Sequence, residues 1–422
     1  MPTQEKQQVI TAINDLGRRV TAADVATKTG LPYLTVSAEL NKIAAETGGH
    51  LQVATTGDIA YKFDLGFQSA YLARGFHKLL IDGARKLFHL GFLLLRVSFG
   101  IVLIASLLII IGTMFFVMLY FNRMNDSNDQ GSDSSSSFFD FLLWRELFET
   151  LIWWNYDPYA ITDSRGYGQY RGRLQQRARK GNFLLNCFSF LFGDGNPNSD
   201  LEERRWQNIA ALIKANHGCV VAEQLAPYTG NDPINEDGVL PVLVRFDGRP
   251  EVTENGNIVY LFPSLQSTAS ESHAASLPAY LRERTWVFTK CSNEELYPVI
   301  GVALANLLGS WWALTLALRP PYLLFHWLAL FNALAAYGTL FVAIPIVRYF
   351  VISWLNLRIE ERNKRNERFA ANLNNKLDTP LQLKLREGSS FAQKDSLIGK
   401  SEIVYTTEKD ELEQEFDRPA GG

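Results

Sequence analysis

Val20-Thr-Ala-Ala-Asp-Val-Ala-Thr-Lys-Thr-Gly30 and Val220-Val-Ala-Glu-Gln-Leu-Ala-Pro-Tyr-Thr-Gly230 decide how the soluble part of this chain is read. Val20, Ala22, Ala26, Thr29 and Gly30 recur as Val220, Ala222, Ala226, Thr229 and Gly230, and Ile13 recurs as Ile213. After a one-residue slip, Val53, Gly57, Ile59, Tyr61 and Phe63 recur as Val252, Gly256, Ile258, Tyr260 and Phe262. The matches fall on core and turn positions, the signature of a true internal repeat.

Working outward from the first stretch, Val9, Ile10, Ile13 and Leu16 have helical spacing, and Val20 suits a short strand. Ala22 to Thr29 reads as a second helix, closed by Gly30-Leu31-Pro32. Leu34 to Thr47 reads as a third, with Val36, Leu40, Ile43 and Ala44 on one face and Gly48-Gly49 as its stop. Leu51 to Val53 and Ile59 to Phe63 then alternate as strands around Thr56-Gly57-Asp58. Three helices followed by a two-stranded ribbon is the winged-helix plan, a variant of helix-turn-helix. In the second copy Pro241 stands where the third helix begins, so that element is expected to be short or distorted.

Elsewhere the chain is apolar. Leu87 to Phe121, Tyr297 to Leu318 and Tyr322 to Val347 each exceed the roughly 20 residues that cross a bilayer as a helix. Gly301, Ala305, Gly309, Ala313 and Ala317, spaced by four, read as a helix-packing stripe. Arg319-Pro320-Pro321 reads as a tight turn into the third passage. The basic flanks Lys78, Arg85, Lys86 and Arg96, and Arg348, Arg358, Arg362, Lys364, Arg365 and Arg368, both favour a cytoplasm-type side. Three passages satisfy only one of them and place the two copies on opposite faces. A fourth passage after Gly338, or a hairpin within Leu87 to Phe121, relieves part of the conflict; the reading keeps three.

The resulting fold class is mixed α+β with transmembrane helices: two winged-helix-like domains plus about three spanning helices. The boundaries are 1–64 for the first domain, 65–86 for an amphipathic connector and 87–121 for the first membrane helix. A flexible linker (122–137) and an interfacial, basic segment (138–198) lead to the second domain at 199–266, opened by a capping box from Ser199 to Glu202. A connector (267–296), membrane helices at 297–318 and 321–347, and a basic helix with a polar tail (348–422) complete the chain.

Charge weighs against nucleic acid. The whole chain carries a formal charge of −3. Residues 1–64 hold six basic against seven acidic side chains, and residues 200–265 hold five against ten. The third helix of the first copy offers Asn41 and Lys42 beside Glu39 and Glu46, a poor surface for neutralising phosphates. The strongest basic patch, Arg165, Arg171, Arg173, Arg177, Arg179 and Lys180, adjoins the aromatic, amphipathic stretch Phe138 to Trp154. Anionic lipid headgroups are its economical partner.

Other candidates have bland readings. Gly193 to Asp200 alternates Asp194, Asn196 and Asn198 but lacks the sixth-position glycine and twelfth-position glutamate of a calcium loop, so it reads as a turn and helix cap. His326 reads as an interhelical hydrogen-bonding side chain. Cys187, Cys219 and Cys291 are isolated and form no disulfide framework or metal set. No nucleotide-binding, nucleophile-elbow or zinc-protease motif occurs, so no catalytic residue and no cofactor is assigned.

Phe190-Leu-Phe-Gly-Asp-Gly-Asn-Pro-Asn198, Leu201-Glu-Glu-Arg-Arg-Trp206, Val221-Ala-Glu-Gln-Leu-Ala-Pro227, Val239-Leu-Pro-Val-Leu-Val-Arg-Phe-Asp-Gly248 and Ile258-Val-Tyr-Leu-Phe262 resemble a poorly characterised membrane family of cyanobacteria and plant chloroplasts. The resemblance spans most of the chain. It implies a thylakoid or plasma membrane of a cyanobacterium, or a plastid membrane, and no reaction. Plant members are often labelled iron–sulfur cluster biosynthesis proteins, a label for which three isolated cysteines supply no ligand set. The expected function is a membrane scaffold or assembly factor whose winged helices contact membrane proteins or a membrane complex. A membrane-tethered DNA-binding regulator is the alternative, and a transporter or channel component the third.

Overall fold

A computed structural model of the chain describes residues 2–64, 76–125, 183–234, 237–269, 277–319, 322, 324–375, 379–392, 396–398 and 403–408. Helices and strands are mixed, with helices in the majority. The chain forms two compact units. The first comprises Met1–Ile81, Asn196–Thr285 and Asn356–Gly422, and the second Asp82–Gly195 and Trp286–Leu355.

In the first unit, residues 2–63 run α1 (Pro2–Asp15), β1 (Arg19–Thr21), α2 (Ala22–Thr29), α3 (Tyr33–Thr47), β2 (His50–Ala54) and β3 (Ile59–Lys62). Local chemistry sets each boundary. Thr21 and Asp24 form a reciprocal capping box that starts α2, and Gly30, at φ 71°, ends it. Gly48, at φ 70°, ends α3. The next residue, Gly49, leaves no room for a side chain, since a Cβ there would lie 2.9 Å from the Phe63 ring.

Residues 201–262 repeat the order. They run α6 (Leu201–Ala215), β4 (Cys219–Val220), α7 (Ala222–Thr229), α8 (Leu240–Phe246), β5 (Arg249–Val252) and β6 (Ile258–Leu261). (Helices α4, Phe76–Asn125, and α5, Phe183–Phe192, belong to the second unit.) The same backbone bonds return in both segments. Phe63 N–H donates to Arg18 O at 2.9 Å, and Phe262 N–H to Gly218 O at 2.8 Å. Gly57 N–H donates to Ala54 O, and Gly256 N–H to Thr253 O, both at 2.9 Å. The left-handed pair before the first strand is Gly17-Arg18 in one and His217-Gly218 in the other. Differences are local. Val221 has no side-chain acceptor, so only the Gln224 Oε1 half of the α7 box forms, at 3.0 Å from Val221 N. Helix α8 has seven residues against fifteen in α3, with Pro241 in its first turn.

Both segments contribute to one hydrophobic core. Ile10, Ile13, Val36, Leu40 and Phe63 join Ile209, Ile213, Leu225, Phe246 and Phe262 in a single buried cluster. Each such side chain removed from water stabilises the fold by about 1.5–3 kcal/mol. Residues 2–63 and 201–262 therefore form one body around a single core. The capping box expected at Ser199 and Glu202 is absent. Helix α6 starts at Leu201 behind Asp200, with no side-chain cap, and Asp200 pairs with Arg204 and Arg284 instead.

The tail continues this unit. Helix α10 (Leu328–Leu373) enters it at Asn356, followed by α11 (Thr379–Ser390), β8 (Ser396–Leu397) and β9 (Ile403–Thr406). Strand β9 pairs antiparallel with β2, giving the sheet order β1-β3-β2-β9. Strand β8 pairs parallel with β7 (Ser267–Thr268). The second copy keeps three strands, β4-β6-β5.

The second unit is built from α4 (Phe76–Asn125), α5 (Phe183–Phe192), α9 (Asn293–Ala317) and the first part of α10. Three helices are long and apolar enough to cross a membrane, at Gly91–Tyr120, Asn293–Ala317 and Phe325–Leu373. Gly338 lets α9 and α10 approach closely. A Cβ there would lie 3.0 Å from Asn306 Oδ1 and 3.2 Å from Leu307 Cα. Residues 320–321 of the expected turn lie outside the described residues.

The five-residue stripe divides within this chain. Ala313 and Ala317 are fully buried, and a Cβ on Gly309 would meet Ile110 at 2.6 Å, but Gly301 and Ala305 are exposed. With 3.6 residues per turn, spacing by four drifts about 40° per step, so four steps carry the row almost to the opposite face. The face that packs is Val299, Val302, Ala303, Asn306, Ser310, Ala313 and Ala317.

Candidate functional site

Within the first unit, polar side chains concentrate where the two copies and the tail meet. Gly30 closes α2 and also forms a seat for the second copy. A Cβ on Gly30 would lie 2.8 Å from both Trp206 Cβ and Gln207 N on α6. Arg245 of α8 stacks 4.4 Å over the Trp206 ring and donates from Nε to Gly30 O at 2.7 Å. Trp206 meets Phe246 edge-on, with centroids 6.3 Å apart. Burial lowers the Arg245 guanidinium from its usual value, and Glu202 and Glu5 oppose that shift.

The capping carboxylate of α2 does a second job. Asp24 accepts from Lys214 Nζ at 2.8 Å, from Thr268 Oγ1 at 2.7 Å and from Ala269 N–H at 2.8 Å. It is only 6% exposed, so each partner replaces lost hydration. Arg19 extends the joint, donating to Gln52 Oε1, Ala269 O and Ile398 O at 2.8–3.0 Å. One acid and one base therefore tie the first copy to α6, β7 and the tail.

The tail grips both hairpins. Glu387 of α11 accepts from Thr253 Oγ1 at 2.6 Å, from Asn257 Nδ2 at 2.8 Å and from Asn255, all on the turn between β5 and β6. The hydrogen bonds from Asn257, Thr253 and Asn255 hold the Glu387 carboxyl below its usual range. On the first copy, Thr407 N–H donates to Leu51 O at 3.0 Å, Leu51 N–H donates to Thr407 Oγ1 at 2.9 Å, and Lys62 pairs with Glu408. The connector is pinned as firmly. Glu283 takes two bonds from Arg362, at 2.6 and 2.7 Å, and Asn363 bonds both backbone groups of Glu283.

The second unit holds a polar knot among apolar helices. Asn306, fully buried on α9, donates to Leu103 O at 3.4 Å and to Ser106 Oγ on α4. Arg348 of α10 donates to the last-turn carbonyls of α5, Ser189 at 3.3 Å and Phe190 at 3.2 Å, where a cation complements the helix end.

The sequence candidates fall as follows. Arg165, Arg171, Arg173, Arg177, Arg179, Lys180 and the stretch 138–154 lie outside the described residues. Asp194 accepts from Ser189 Oγ at 2.9 Å and from Lys290 N–H at 2.7 Å. Separately, Asn198 exchanges bonds of 2.8 Å with the Arg284 backbone. Both are occupied as a turn requires. His326 is exposed in a short 3-10 turn. Cys187 and Cys219 are buried, and Cys291 donates to Asn186 Oδ1 at 3.3 Å. Among the described residues no three His, Cys, Asp or Glu side chains gather as metal ligands.

No family model and no solved structure matches the chain. Its sequence is 35% identical over 438 residues to the uncharacterized chloroplastic protein At5g03900 of Arabidopsis thaliana, covering 99% of this chain and 81% of that protein. The chain belongs to this chloroplast-protein family. That relationship fits a protein of a photosynthetic membrane. For this family member, Asp24, Lys214, Trp206, Arg245 and Glu387 are the residues that sequence reading did not single out. Only Asp24 carries a local signal, as the third residue after a threonine cap; the others act across the chain and leave none.

Proposed function

We propose that this chain is an integral membrane scaffold or assembly factor of a photosynthetic membrane. Its soluble unit is a fused pair of winged-helix modules that docks onto membrane proteins, and it has no catalytic role. One observation carries this reading: the wings a winged helix offers to DNA are engaged by the chain itself. The first wing is edged by β9, and the second wing's turn is clasped by Glu387. What remains outward on the corresponding helix of the second module is apolar, with Leu240 and Val244 exposed one turn apart. Apolar, weakly charged surfaces suit protein contacts.

Sidedness supports the same reading. The shared core and the tail strands bind residues 1–81, 196–285 and 356–408 into one body. All three then face one aqueous compartment. The basic flanks, which three passages left in conflict, then agree on a stromal or cytoplasmic face. The basic cluster Arg165 to Lys180 adds anionic lipid headgroups as a second class of partner, on sequence grounds.

Purification of the full chain in mild detergent tests the proposal. A membrane protein recovered in stoichiometric amount is expected. Recovery without a stable partner, together with salt-sensitive retention on DNA, would favour the tethered regulator instead.

A further inference from the structure

The two hairpins differ in one chemical detail that sorts their outer edges. Strand β2 turns the backbone of Leu51 outward, where both its N–H and its C=O bond to Thr407. Its counterpart in β5, one residue displaced, is Pro250, paired with Tyr260 as Leu51 is paired with Tyr61. Proline has no N–H to offer a further strand and is a common device for blunting a sheet edge. The second module's edge is therefore closed by its covalent structure. The first module's edge keeps its donor and is covered only by the chain's own tail.

That cover is one short strand. Strand β9 has four residues, and its register with β2 breaks between Val53 and Ala54. Val404 is 48% and Tyr405 43% exposed. Ile403 supplies the apolar contact, partly buried against Ala54, Ala60, Ala269 and Ile398. The Lys62–Glu408 pair at the end of the strand is partly exposed, so it sets register more than affinity.

We propose that the outer edge of β2 is a strand-docking site for an extended segment of a partner protein, with β9 as the resident occupant that such a segment replaces. The seated tail specifies the partner chemistry. It is a strand with apolar or aromatic side chains at alternate positions, a hydroxyl residue opposite Leu51, and an acid placed to meet Lys62. Backbone pairing supplies affinity, and the acid sets register. This rests on the reading of the soluble unit as a docking body and names one of its contact sites.

The test uses the full-length protein in detergent and a fluorescent peptide with the sequence of Glu402–Glu408, read by anisotropy. In the wild type the tail competes and binding is weak. Tyr405→Pro, which breaks the resident strand, should tighten binding about tenfold by raising the fraction of open edge. Adding Leu51→Pro should abolish it. Should that variant fail to fold, Lys62→Glu in the Tyr405→Pro background should weaken the peptide, and a peptide carrying lysine in place of Glu408 should restore binding. Equal binding to wild type and Tyr405→Pro, or indifference to the charge swap, would overturn the site. Either result leaves partner recovery by the intact chain as a separate question.

Discussion

Lys214 Nζ lies 2.8 Å from Asp24 Oδ1, joining the first helix of one module to the capping residue of the other across 190 positions of sequence. The side chains are 16% and 6% exposed, so neither charge is well hydrated. Removing one partner of a buried pair costs about 3–5 kcal/mol, because the other charge remains behind. Asp24→Ala and Lys214→Met should each sharply increase protease sensitivity of the soluble unit. The double variant should be less damaged than the two effects added together. Additive losses would show that the pair is not coupled.

Gly30 and Gly17 make a controlled comparison. Both have positive φ, at 71° and 85°, but a Cβ on Gly17 meets nothing within 4 Å, whereas on Gly30 it meets α6 at 2.8 Å. Gly17→Ala should cost about 1–2 kcal/mol of left-handed backbone strain. Gly30→Ala should cost more, since it also wedges the modules apart. Thermal unfolding of the two purified variants distinguishes them, and equal losses would remove Gly30 from the interface.

Glu387 predicts a pH dependence. Its carboxyl is held below the usual range by hydrogen bonds from Asn257, Thr253 and Asn255. A depressed carboxyl adds stability above its unfolded pKa and loses it as pH falls through the folded value. Hydrogen-exchange protection at the turn Thr253 to Asn257, relative to the intrinsic rate at each pH, should therefore be high at neutral pH and fall only below the ordinary carboxylate range. Glu387→Gln should exchange faster at neutral pH and lose that acid step.

In the membrane unit, Asn306 bridges α9 to α4, and Gly338 admits α10 beside it. Asn306→Leu should weaken the bundle by about 1 kcal/mol, typical of interhelical hydrogen bonds in bilayers. Gly338→Leu should be far worse, because its side chain has no space. Crosslinking yield between cysteines on α9 and α4 reads the first effect, and between cysteines on α9 and α10 the second.

What the sequence made legible was local. The ends of α2 and α3 follow from Thr21, Asp24, Gly30 and Gly48, and the apolar runs that form α9 and α10 exceed a bilayer's thickness. Strands β8 and β9 were hidden, because two to four residues in a polar tail carry no period. Trp206 and Arg245 meet only when α6 and α8 fold together, and nothing in their own neighbourhoods marks them. The small-residue stripe divides between a buried and an exposed part because spacing by four drifts about 40° per step around a helix.

The account stands most directly on sidedness. Single cysteines at Thr56, Glu254 and Arg386 sample the first module, the second module and the tail, and one at Tyr322 samples the turn between α9 and α10. With Cys291 replaced by serine, a membrane-impermeant maleimide can be applied to sealed vesicles of known orientation. The account predicts that positions 56, 254 and 386 are labelled from one face and position 322 from the other. Labelling of 56 and 254 from opposite faces would contradict it.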